Sequence, residues 1–141
     1  MQKFSSEGEF LGKWPGVGTR IAISSGGKLF LADEAGHVVN EYLTSGTFQG
    51  ARGTQGSLPG QFDSPSGLGL SSFGDLYVAD RQNHRVQVFD DLGELAFIVG
   101  SFGIQNGAMQ EPADAAVAAS GDLFVIDSGN FRIQRFSPPA P

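Results

Sequence analysis

The chain repeats itself every 47 residues, and that period constrains its fold more than any other feature. Residues 73–89 (FGDLYVADRQNHRVQVF) and 120–136 (SGDLFVIDSGNFRIQRF) are identical at 9 of 17 positions, where chance gives about one. Residues 26–42 (GGKLFLADEAGHVVNEY) lie 47 before the middle copy and match it at 6 of 17. Asp33, Asp80 and Asp127 are therefore equivalent, as are Gly27, Gly74 and Gly121. The connecting stretches agree as well: Gly53, Gly56, Gly60 and Pro65 recur as Gly100, Gly103, Gly107 and Pro112. Such a chain is an array of small units, each burying a face against its neighbour.

Within a unit, short apolar runs alternate with glycine turns, and no helical periodicity lasts long enough for a helix. The middle copy predicts four strands, at 66–70, 76–80, 85–89 and 94–99. Gly74 and Gly93 suit positive-φ positions in tight hairpin turns. The second strand is almost wholly apolar (Leu76, Tyr77, Val78, Ala79), which is expected only if both faces of its sheet are covered. A ring of face-to-face sheets does this, and a four-stranded unit of about 45 residues has the period of a β-propeller blade. The expected class is all-β, with antiparallel blades spanning residues 19–52, 66–99 and 113–136.

Three stretches of the middle copy carry a family resemblance. They are Gly60-Gln61-Phe62-Asp63-Ser64-Pro65-Ser66-Gly67, then Gly74-Asp75-Leu76-Tyr77-Val78-Ala79-Asp80, then Asn83-His84-Arg85-Val86-Gln87-Val88-Phe89. Together they resemble the NHL repeat, named for an Asn-His-Leu motif that often reads Asn-His-Arg. The last copy has Asn130-Phe131-Arg132 at that place, and the first keeps only the histidine, in Gly36-His37-Val38. The resemblance implies a propeller of six blades, twice the number in this chain.

The N-terminus bears on how three blades could close. Phe4, Gly8 and Glu9 share the spacing of Phe89, Gly93 and Glu94, so Phe4 should end a third strand and 9–14 should form an outermost one. With the last copy supplying three strands, the expected total is twelve, one outer strand having moved to the front. Residues 1–14 would then complete a C-terminal blade, and residues 1–136 form one half-ring followed by a Pro-rich tail at 137–141. Between Trp14 and Ile21 the connection is nine residues shorter than between Val99 and Ala115. Closed propellers use 4–8 blades, and an open arc would expose apolar faces. A homodimer closing to six blades is the expected assembly; an excised part of a longer array is the other reading.

Composition narrows the function classes. A net charge of −6 speaks against a phosphate-binding face and hence against nucleic acid as a partner. No apolar run reaches the length of a membrane helix, no signal-peptide pattern is present, and the compartment is left open. There is no cysteine, hence no thiolate site.

The candidate chemistry is sparse. Asp33, Asp80 and Asp127 each precede a tight turn, where a carboxylate can accept turn N–H groups. Arg85 and Arg132 should reach back across that turn or to the next blade. These five residues are read as structural. His37 and His84 are equivalent, but Phe131 fills the third place, so the three-ligand zinc site of related peptide-amidating lyases is broken. Innermost strands offer Ile21, Ile23, Leu68, Leu70, Ala115 and Val117, with only Arg20 and Asp114 charged at the mouth, placed to pair across the channel. No catalytic residue, metal site or cofactor is assigned.

The expected function is a non-catalytic interaction scaffold, binding a protein, peptide or other ligand through a loop face. That face carries Arg52, Arg81, Asn83, His84 and Phe131, with Arg20 and Asp114 at the mouth. The alternatives are a metal-dependent propeller lyase or hydrolase, and an RNA-binding domain.

Overall fold

The computed structural model describes residues 1–16 and 18–138; of the tail expected at 137–141, residues 139–141 lie outside the described residues. Among the described residues, thirteen strands form four antiparallel sheets. A two-stranded hairpin comes first, β1 (Gln2–Phe4) with β2 (Phe10–Lys13). Blade 1 contains β3 (Arg20–Ile23), β4 (Lys28–Asp33), β5 (Val38–Leu43) and β6 (Phe48–Arg52). Blade 2 contains β7 (Pro65–Leu70), β8 (Leu76–Asp80), β9 (Arg85–Phe89) and β10 (Leu95–Val99). Blade 3 has β11 (Pro112–Val117), β12 (Leu123–Asp127) and β13 (Arg132–Phe136). The expected total of twelve did not count the strand expected to end at Phe4, which is present as Gln2–Phe4 and pairs with β2.

The turns follow from their glycines. Gly74 and Gly93 have φ of 93° and 90°, the left-handed region that costs glycine nothing. Glycine serves a different purpose on β7. A Cβ on Gly67 would overlap the Asp114 backbone, and one on Gly69 would lie 2.9 Å from the Ala115 carbonyl oxygen. Those two positions let the innermost strands of blades 2 and 3 approach closely, as packing around an axis demands.

The core lies between blades. Phe30, Ala32 and Val39 of blade 1 meet Phe62, Leu68, Leu76, Val78 and Phe89 of the second unit. Tyr77, Val86 and Val88 on the other face of blade 2 meet Met109, Ala115, Leu123 and Val125. Both faces of β8 are therefore buried along its length, whereas β12 alternates between buried and exposed residues. Closely similar strands, LYVAD and LFVID, thus acquire unequal burial from the presence or absence of a neighbour.

Candidate loop face and inter-blade latches

Each of the three repeated Asp residues accepts a backbone N–H, but only Asp33 receives it from its own turn, as expected; Asp80 and Asp127 receive it from a connector. In blade 1, Asp33 accepts the Gly36 N–H at 2.9 Å, within its own turn. In blade 2, Asp80 is completely buried and accepts the Asp63 N–H at 2.8 Å, from the connector that precedes the blade. Asn83, Arg85 and Gln87 all donate to the same carboxylate, at 2.9, 2.8 and 3.0 Å. Blade 3 repeats the arrangement: the Gln110 N–H, Asn130, Arg132 and Gln134 surround the buried Asp127. Burial alone would raise the pKa of Asp127, but these hydrogen bonds and the Arg132 charge outweigh it and hold the carboxyl below its ordinary value.

Arg85 and Arg132 do more than neutralise an aspartate. Arg85 donates to the carbonyls of Ser57, Leu58 and Gln61, each at 3.0 Å, and Arg132 to those of Gln105 and Ala108. Gln87 accepts the Gly60 N–H and donates to the Gln61 carbonyl, while Gln134 does the same with Gly107 and Ala108. Asp, Asn, Arg and Gln therefore staple connectors 53–64 and 100–111 onto the blade that follows each. Blade 1 has Val38 in place of the arginine, and its connector is the short one, with no such loop to hold. The two glutamines escaped the sequence reading; a polar residue recurring 47 apart inside an apolar strand is the signal that marks them.

The histidines form a second device. His84 closes a 3-10 turn (Arg81–Asn83) in the left-handed conformation, and its Nδ1 accepts the Glu111 N–H at 3.0 Å. His37 accepts the Ser64 N–H at the same distance. Each imidazole latches one blade to the start of the next, and both N–H donors also have positive φ. Phe131 occupies the third position, left-handed like the histidines, and is 97% exposed.

Other positions assigned to the loop face fare differently. Asn83 is committed to Asp80 and the Gly56 carbonyl. Arg81 lies in the 3-10 turn with its Nε buried and without a hydrogen-bond partner. Arg20 and Asp114, both partly exposed, stand 3.7 Å apart at the mouth, the pairing anticipated from their repeat positions. Arg52 does not join them. Its guanidinium lies between blades near the Phe30 and Phe89 rings, 3.4 Å from Glu41. There it borders a cavity of about 340 Å3 lined with the Ser24–Ser25 and Ser72–Phe73 turns, which belong to first-to-second-strand hairpins. Exposed apolar side chains accompany the loop face instead: Leu58, Phe102 and Ile104 on the connectors, and Phe131 on a turn. Among the described residues, no three His, Asp or Glu side chains cluster closely enough to share a metal ion, and no helix is long and apolar enough to cross a membrane.

Face-to-face antiparallel blades, latched in series by left-handed turn residues, define a β-propeller architecture built from sequence repeats. The family model for the NHL repeat matches residues 62–89 and 109–136, the second and third of the three repeats, which is consistent with an NHL-repeat family. No curated protein matches the sequence. Among solved structures, a streptogramin B lyase superposes with a TM-score of 0.67 at 14% identity, covering 98% of this chain and 47% of that one. A catalytically inactive virginiamycin B lyase from Staphylococcus aureus, with quinupristin, gives 0.65 at 16% identity over 99% and 49%. The β-propeller domain of Cps50 (Swd1) from Myceliophthora thermophila gives 0.62 at 13% identity over 85% and 40%. The chain thus spans less than half the length of these structures, and identities this low carry the fold alone.

Proposed function

We propose that the chain is one half of a six-bladed, non-catalytic scaffold, closed by a second copy, that binds a protein or peptide ligand through its loop face. The observation that carries the reading is the division of labour on that face. The residue types suited to chemistry are consumed in holding the fold, as with Asp80, Asp127 and the Nδ1 atoms of both histidines. Large apolar side chains stand exposed among small polar ones on its connectors, with Leu58 at 65%, Phe102 at 66% and Ile104 at 74% exposure. Protruding apolar side chains on loops fixed by a rigid scaffold suit protein and peptide surfaces.

The experiment is selection of a displayed random-peptide library on the immobilised protein. Enriched peptides with a shared motif should bind the intact protein and lose binding to a Phe102→Ser, Ile104→Ser variant. Failure to enrich any motif, together with stoichiometric zinc or calcium by elemental analysis, would favour the lyase or hydrolase reading instead. Tight, salt-dependent RNA retention on a filter would favour the third.

A further inference from the structure

Strand β1 duplicates a strand that the chain already has. Its pairing with β2 sets Phe4 opposite Phe10, Lys3 opposite Gly12 and Gln2 opposite Lys13, with one bulge. The β9–β10 hairpin has the same register and bulge, with Phe89 opposite Leu95, Val88 opposite Phe97 and Gln87 opposite Ile98; so does β5–β6. The N-terminal hairpin is therefore the outer half of a blade whose inner half is absent from its sheet. Its first strand is also a near copy of β13. Met1-Gln2-Lys3-Phe4-Ser5 aligns with Ile133-Gln134-Arg135-Phe136-Ser137, identical at three places and matched in character at two. The equivalent residues in the other blades, Val39-Asn40-Glu41-Tyr42-Leu43 and Val86-Gln87-Val88-Phe89-Asp90, lack the central cation.

The hairpin sits on the leading face of blade 1, and it covers that face poorly. Met1, Phe4 and Trp14 border a 240 Å3 cavity against Ile21, Ile23 and Leu29. Ile21 and Ile23 stay 53% and 60% exposed, and the Trp14 indole N–H is buried without a partner. At the other end of the arc, no described strand pairs with the outer edge of β13. The trailing face of blade 3 is bare as well. Phe124, Ile126 and Ile133 are 38%, 46% and 70% exposed, while their equivalents Tyr77, Ala79 and Val86 are almost wholly buried because blade 3 covers them.

We infer that β1 is a stand-in for β13 of a second copy. In the closed ring, the second copy's β13 pairs with β2 in place of β1, bringing a three-stranded blade onto the leading face of blade 1. The displaced β1 is released. This rests on the reading that two copies close the ring, and adds to it that each chain caps its own closing edge with a mimic of its partner. Closure is then an exchange of one strand for another of nearly the same sequence. The full chain closes less readily than one without β1, because only its β1-displaced fraction is competent.

Two measurements test this. Removal of residues 1–5 should lower the dimer Kd roughly tenfold or more by sedimentation, whereas removal of residues 1–14 should abolish the dimer. Met1 and Trp14 exchange both backbone hydrogen bonds, at 2.8 and 3.0 Å. Gln2 and Lys13 are thus the adjacent non-hydrogen-bonded pair, with Cα atoms about 4.5 Å apart, which is within disulfide range. The Gln2→Cys, Lys13→Cys variant of this cysteine-free chain should be monomeric when oxidised and regain the dimer on reduction. A dimer that trimming weakens, or that the oxidised staple leaves intact, overturns the stand-in role while sparing closure. A monomer in all forms at every concentration overturns both.

Discussion

The Nδ1 atom of His84 accepts the Glu111 N–H, and both residues are left-handed, with φ of 55° and 48°. The strained backbone on each side of the junction is what aims the ring at the amide. His37 and Ser64 repeat the relationship one blade earlier. A junction between blades is therefore part apolar packing and part directed hydrogen bond.

Replacing His84 by Ala should leave the Glu111 N–H without its acceptor and cost about 1–3 kcal/mol. His37→Ala should cost a similar amount. Phe131→Ala, at the equivalent but exposed position, should change monomer stability by less than about 0.5 kcal/mol. Urea denaturation of the three variants checks the ranking; equal effects would remove the latch from the account.

Asp127 gives stability a direction in pH. Its folded pKa lies below its ordinary value, so the folded state holds the charged form more strongly than the unfolded chain does. That contribution is complete above the ordinary carboxylate range and is lost as pH falls through the depressed value. The Asp127→Asn variant should be less stable than the natural chain at neutral pH. The gap between their urea midpoints should narrow in acid.

The connector staples predict an asymmetry between blades. Arg85→Met removes three carbonyl contacts and the Asp80 partner, leaving a buried charge unpaired at a cost of about 3–5 kcal/mol. Hydrogen exchange across residues 53–64 should rise. The converse substitution, Val38→Arg, should add no stability, because blade 1 has no long connector to hold.

Ile133 offers a test of assembly that spares the fold. It is 70% exposed, so Ile133→Lys should alter monomer stability by less than about 0.5 kcal/mol. Placed between two copies, the lysine would bury a charge against apolar groups. If two copies close the ring as proposed, light scattering should give twice the chain mass for the unsubstituted chain and the single-chain mass for the variant at the same concentration.

The blades were legible because a 47-residue period and an apolar second strand leave few arrangements. Asp80 and Arg85 stood out by recurrence, but their partners did not. Which backbone amide a carboxylate receives depends on how a connector returns over the blade, and strand patterns do not encode that path. Gln87 was hidden for the same reason. His84 announced itself by repeat position while its acceptor role was invisible, since the signal lies in the φ of Glu111. Arg52 was misplaced because a long side chain follows its neighbours' shape, here two aromatic rings, rather than the end of the strand that bears it.

Because Arg85 and Gln87 grip the loop ahead of their own blade, the natural seam of the chain falls before that loop and not at the first strand. Residues 53–99 therefore make one cassette, carrying the loop and the groups that hold it, and residues 100–136 begin the next. Anyone lengthening this arc by one blade would splice between Arg52 and Gly53. A splice at Pro65 would part each staple from the loop it holds.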